Sequence, residues 1–331
     1  MTNQRVMVRV DDRVRLMSAL LAMTDWPERE QQRQPHGVHT HARATRRHLA
    51  QFADHSAVQT TQRLLDEGRT LEDLFTFSQV LTWPSLRARG ADVPGWVPSG
   101  WTAEIRNFYI ASKLVTLWKD ERAVWDETVG QLETIFEQGD IQTFLTPYVG
   151  QTESTLVFLP NLSYPTLGVV CFPSGDEVLC ICAPQVAVGT NPPWPFGEDP
   201  AWVHRVAFEA LAGVLVRDYL EFHQEAARSL GEGPLPLPET FQRAHPDWRD
   251  QFVKIFVGAA TAIFLEETVG KQEADAYIVV EHKAQGFDIL PSAVSVLRRY
   301  LSERDEGRFH ELADYLPVFR NHLRVAARML R

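Results

Sequence analysis

Glu209 sits in the run Trp202-Val203-His204-Arg205-Val206-Ala207-Phe208-Glu209-Ala210-Leu211-Ala212-Gly213, whose spacing invites one specific chemistry. On a helix, the pattern H-E-x-x-H sets two His at i and i+4 on one face to hold zinc. The Glu beside the first His then acts as general base. Here Glu209 matches the Glu, but the two His positions carry Phe208 and Ala212. Neither side chain has a donor atom for a metal. Starting the pattern at His204 recovers one His and puts Arg205 and Phe208 in the other places, so no register supplies a zinc set.

A second group of residues with chemical potential is the cluster His36, His39, His41, His48 and His55. An H-x-H pair such as His39 and His41 holds a metal when the chain is extended, because alternate side chains share a face. His36, His39 and His41 are therefore weak metal candidates. No carboxylate or Cys is regularly spaced with them, and Arg43, Arg46 and Arg47 add positive charge. The plainer expectation is a solvated, basic helix start. That basic patch could meet a phosphate or an acidic partner, but Asp54, Asp66 and Glu67 follow closely, and most charge runs of this size are a solvated face. Nucleophile-elbow, dinucleotide and P-loop patterns do not occur, and Gly231-Glu232-Gly233 lies in a Pro-rich break.

These residues need a scaffold to position them. Apolar residues recur at helical spacing over 12–23, 42–52, 56–66 and 71–81, with Asp54 or Ser56 and then Thr70 as expected caps. The polar stretch 27–37 reads as a loop. A Pro/Gly-rich connection with Trp83 and Trp96 runs over 83–100, followed by helical text at 102–118 and 121–136. Three β-rich runs follow, at 156–159, 168–172 and 178–182, with a turn at 173–176 tight enough for an antiparallel hairpin. Val6 to Val10 is one more short strand candidate. After a second Pro/Trp-rich loop at 188–200, helices are expected at 202–225, 248–267, 274–285, 292–303, 309–315 and 318–330.

The chain has 331 residues, 44% of them hydrophobic, and a formal charge of −10. That is ample for a continuous core, and an acidic surface argues against general nucleic-acid or anionic-membrane binding. Cys171, Cys180 and Cys182 are too few and too close for a disulfide framework, and they read as buried reduced thiols. The apolar run at 16–23 is too short to span a bilayer, and Asp11 and Asp12 do not suit a signal peptide. A soluble, cytoplasmic protein is expected.

Three stretches carry a likeness to known proteins: Val8-Arg9-Val10 through His55-Ser56-Ala57-Val58, Ala207 to Ala212, and Gly286-Phe287-Asp288 through Phe309-His310-Glu311-Leu312-Ala313-Asp314-Tyr315-Leu316-Pro317. In these the chain resembles an uncharacterised bacterial family of gluzincin-like metallopeptidases, known as a domain of unknown function. The resemblance implies a sheet followed by a metal helix, with a Glu ligand on a later helix. That later position falls near Lys254, whose ammonium repels zinc. Only Glu209 survives from the site, and a Lys254–Glu209 pair would stabilise an otherwise costly buried carboxylate.

The expected architecture is α+β, mainly α. It has a helical N-terminal half, a small antiparallel sheet with a zincin-like helix pair, and a helical C-terminal third. It forms a single domain or two packed lobes, 1–150 and 151–331. The expected function is a non-catalytic pseudoenzyme with no cofactor, binding a protein or peptide in a vestigial cleft near His204, Trp194 and Trp202. The alternatives are an active hydrolase with an unrecognised site, for which zinc would be relevant, and a helical interaction protein.

Overall fold

In the computed structural model, residues 6–88, 93–165, 167–187, 189, 191–231, 235–284 and 286–329 are described. Gly90, Val188, Gly233, Gln285 and Leu330, each part of an expected loop or helix end, lie outside them. The protein is α+β and mainly α, with one small sheet. Contacts divide the chain into two compact units, each built from discontinuous segments, with breaks after Val6, Ile135, Ser154 and Pro200. One unit joins Met7–Ile135 to Thr155–Pro200, so the sheet belongs with the N-terminal helices. The other comprises Met1–Val6, Phe136–Ser154 and Ala201–Arg331.

The sheet-bearing unit contains β1 (Met7–Val8), β2 (Thr155–Pro160), β3 (Val170–Ser174) and β4 (Glu177–Cys182). Their order is β1-β2-β4-β3. The sheet is mixed, not antiparallel. β1 runs parallel to β2 and β2 parallel to β4; only β3 and β4 form the expected hairpin, closed by Ser174↔Glu177. The physical reason is legible in the burial. Five consecutive residues are buried in each of β2 and β4, and strands covered on both faces read as unbroken apolar runs and tolerate parallel neighbours.

Around the sheet stand α1 (Asp12–Leu21), α2 (Trp26–Arg33), α3 (Thr40–Leu49), α4 (Ser56–Asp66), α5 (Leu71–Val80), α6 (Trp101–Ser112), α7 (Leu114–Asp120) and α8 (Arg122–Phe136). α5 packs on β3, and α1 on α4 and α5. α2 occupies the expected polar loop. Pro27 suits a first helical turn, where no amide bond is lost. Thr70 caps α5 as expected, in a full capping box with Asp73. α4 is capped instead by His55, whose Nδ1 accepts from the Ala57 amide at 3.1 Å. The long Trp-bearing connection packs down: Phe77 stacks on Trp101 at 4.6 Å, and Trp83 meets Tyr109 at 5.1 Å.

The other unit is helical: α9 (Ile141–Val149), α10 (Pro200–Phe222), α11 (Gln224–Gly231), α12 (Glu239–Ala244), α13 (Trp248–Thr268), α14 (Lys271–Ala284), α15 (Leu290–Asp305) and α16 (Leu312–Met329). α13 is its centre, packing on α14 and α15, with an uninterrupted buried run from Ile255 to Leu265. α16 continues through Pro317, so the two helices expected at 309–315 and 318–330 are one. Among the described residues, no helix is long and apolar enough to cross a membrane.

Candidate functional site

The helical unit holds the position where the zinc pattern would stand. α10 opens on Pro200 and buries Val203, Ala207, Phe208, Leu211 and Ala212 along one stripe. Phe208 and Ala212 are fully buried. Phe208 stacks on Phe264 of α13 at 4.6 Å and 17°, and Phe144 of α9 meets each ring edge-on at 5.3 Å. The two expected ligand positions are thus packed aromatic and aliphatic core. These residues do not fit a zinc ion.

Glu209, one step round the helix, is half-buried. Its Oε1 accepts from the Tyr277 hydroxyl of α14 at 2.8 Å. Burial raises its carboxyl above the usual range, while the Tyr277 hydrogen bond and then the Lys254 charge favour the ionised form. Burial, then the Glu209 charge, drives Tyr277 well up. Lys254 is exposed on α13 and acts on Glu209 through its field, with no ion pair within 4.0 Å. The direct partner is therefore a neutral donor and not the expected ammonium. Tyr277 escaped sequence reasoning because a partner 68 residues away leaves no local pattern. The one available signal was a Tyr on an amphipathic helix, whose hydroxyl needs a partner once buried.

His204 lies in the core and not on a cleft wall. It is fully buried, with Phe136 edge-on at 6.0 Å and Phe264 at 5.9 Å. A Cβ on Gly139 would come within 3.1 Å of its Cε1 and 2.6 Å of Thr268 Cγ2, so only glycine allows this close approach. Trp202 is half-buried in the helical unit, and Trp194 is 46% exposed in the sheet-bearing unit. A pocket of about 400 Å³ opens beside Lys254, walled by Glu281, His245, Phe241 and Phe287.

In the sheet-bearing unit, the His-rich segment is spent on structure. The backbone of His36 is clamped by both ends of the Gln31 amide, and its Nδ1 donates to the Gln34 carbonyl at 2.7 Å. His39 caps α3, its Nδ1 accepting from the His41 amide at 3.3 Å. Its ring donates to the Leu162 carbonyl and stacks on His41 at 5.3 Å. His41 Nδ1 donates to Glu121 at 2.6 Å. The other Glu121 oxygen lies 3.7 Å from Arg15, which also meets Asp12 at 3.2 Å. The Arg15 guanidinium is sandwiched between Trp118 at 4.4 Å and Trp125 at 4.2 Å. Asp12, Arg15, Glu121, His41 and His39 therefore form one connected chain, buried at Arg15 and Glu121 and partly exposed at its other members. It is the polar site that sequence reasoning missed, because Glu121 and His41 are 80 residues apart. Among the described residues, no group of three or more His, Cys, Asp or Glu converges to hold a metal ion.

His39 is held at about 4 by burial and by the neighbouring His41 charge. Its folded pKa is depressed below 6.5, so the folded state resists protonation. The contribution to stability is complete above pH 6.5 and is lost as pH falls towards about 4. Thermal melts across this range should show the wild type losing more stability than His39→Asn, which retains a capping side chain but does not titrate. Parallel curves would contradict the assignment.

No family model, no curated protein and no solved structure matches this chain.

Proposed function

We propose that the chain is a metal-free, non-catalytic protein of metallopeptidase-like design that binds a peptide or protein partner. The carrying observation is the Phe208–Phe264 stack at 4.6 Å, with Ala212 fully buried, where a zinc pattern would need two His. Glu209 supports the same reading: one of its carboxylate oxygens accepts from Tyr277, and Phe208 and Ala212 beside it carry no donor for a metal that would activate a water. The pocket beside Lys254 offers a peptide a cation, an anion and the stacked rings of Phe241 and Phe287, 5.3 Å apart.

Two measurements test this. Protein purified with zinc present is expected to lose it to a mild chelator; one chelator-resistant zinc per chain would overturn the reading. Glu209→Gln keeps an acceptor for Tyr277 and removes the cost of a buried charge. Because the folded pKa of Glu209 is raised, this variant should be at least as stable as wild type above the usual carboxylate range. A peptidase activity that Glu209→Gln abolished would equally end the proposal.

One observation favours a second reading, an active hydrolase. His41 is oriented by Glu121 at 2.6 Å, the arrangement of a carboxylate-supported general base. Loss of a measured hydrolytic activity in His41→Gln, with Glu209→Gln unaffected, would select it.

A further inference from the structure

We propose that an apolar pocket formed by α1, α2, α3 and the turn after β2 binds a small amphipathic monoanion, a carboxylate carried on a hydrocarbon tail, with Arg43 as its counter-ion. The pocket has a volume of about 340 Å³, and its wall is almost wholly apolar, built from Ala22, Pro27, Val38, Ala42 and Pro165. That volume is at the small end of ligand pockets, which run to roughly 300–1,000 Å³.

The wall is pre-formed. Gln31, on one side, is fixed through both amide atoms to the backbone of His36, at 3.0 and 3.2 Å. Ala42 is buried on the first turn of α3. A ligand therefore meets a rigid apolar surface, and little ordering cost opposes its burial.

The charged part of the lining sets the sign of the ligand. Glu28, Arg43 and Arg46 are the charged residues of the pocket's lining. Glu28 and Arg46 pair with each other, which leaves Arg43, one helical turn before Arg46. Arg43 is exposed and makes neither a side-chain hydrogen bond nor an ion pair among the described residues. Two cations against one carboxylate leave a single positive charge beside an apolar cavity. A neutral hydrocarbon would leave that charge unused, and a polar solute would leave the wall unused. A monoanionic head on an apolar tail satisfies both. The proposal rests on the sheet-bearing unit alone and is independent of the reading of Glu209.

Calorimetric titration with straight-chain carboxylates and the matching alcohols tests it on the full chain. Affinity should rise about fourfold per added methylene until the pocket is filled, and then level off. Each carboxylate should bind about fivefold tighter than its alcohol, and Arg43→Gln, a surface change, should erase that difference while leaving alcohol binding intact. Ala42→Leu fills the cavity and should abolish binding of both series, with an unchanged helical circular dichroism spectrum. If Ala42→Leu does not fold, the Arg43→Gln titration decides. Absence of saturable binding, equal affinity for carboxylates and alcohols, or carboxylate binding unchanged in Arg43→Gln would overturn the proposal.

Discussion

Truncating Phe208 to alanine is expected to lower the unfolding free energy by about 3–5 kcal/mol, the range for removing a buried aromatic ring. The ring is fully buried and sits in a three-ring cluster with Phe264 and Phe144. Beyond lost transfer energy, the variant forfeits aromatic pairing, roughly 0.5–1.5 kcal/mol per pair. The cavity cannot close easily, because α10, α9 and α13 are each held by further buried residues. Phe208→Leu should cost distinctly less, since much of the volume is kept. Denaturant titration at constant m-value reads the difference directly. A Phe208→Ala loss below about 1 kcal/mol would mean that the ring is not the core element described, since buried truncations of this kind cost several times more.

The second large effect is expected at Glu121. Its side chain and that of Arg15 are each only 8% exposed. Glu121→Ala strips Arg15 of one of its two carboxylates and His41 of its acceptor, leaving a charge between two indole rings. Breaking one side of a buried pair costs about 3–5 kcal/mol. The cost should fall sharply in the double variant Arg15→Met/Glu121→Leu, because removing both charges also removes their desolvation penalty. A double-mutant cycle of Arg15→Met, Glu121→Leu and their combination, read from denaturant midpoints, separates the two contributions. If Glu121→Ala and the double variant lose the same small amount, water has replaced the pairing and the chain of polar contacts does not hold this unit together.

The elements that were readable from the chain were those whose cause is local. The capping box at Thr70 needs only residues three apart, and the β3–β4 hairpin needs only its short turn. α2 was missed because its polar text has no apolar stripe. No residue of α2 is buried, so periodicity had nothing to detect, and Pro27 looked like a loop signal where it is a first-turn residue. The hairpin alone implies an antiparallel sheet. β1 and β4, which flank β2, come from far apart in sequence, and the partner of a strand is a long-range choice.

The candidate sites divide in the same way. That Phe208 and Ala212 cannot ligate a metal follows from side-chain chemistry alone. That Glu209 takes Tyr277 as its partner follows only from α10 and α14 packing on the same helix, α13. The Lys254 pairing was a reasonable reading of complementary charges, yet an exposed ammonium acts only through its field, whereas the buried hydroxyl makes the bond. Among the histidines, the sequence announced a cluster but assigned it no partners. Folding turned His39 and His55 into helix caps and tied His41 to Glu121.

By itself, then, the amino-acid sequence determined the helix-rich class, the presence of β-runs in the middle and the lack of a tridentate zinc set around Glu209. Each of these depends on residue type and short-range periodicity. Only the tertiary structure decided the mixed strand order, the grouping of the sheet with the N-terminal helices, and the Asp12–Arg15–Glu121–His41–His39 chain. The physical reason is that burial selects partners by where surfaces meet, and residues far apart in sequence meet only once the core has formed.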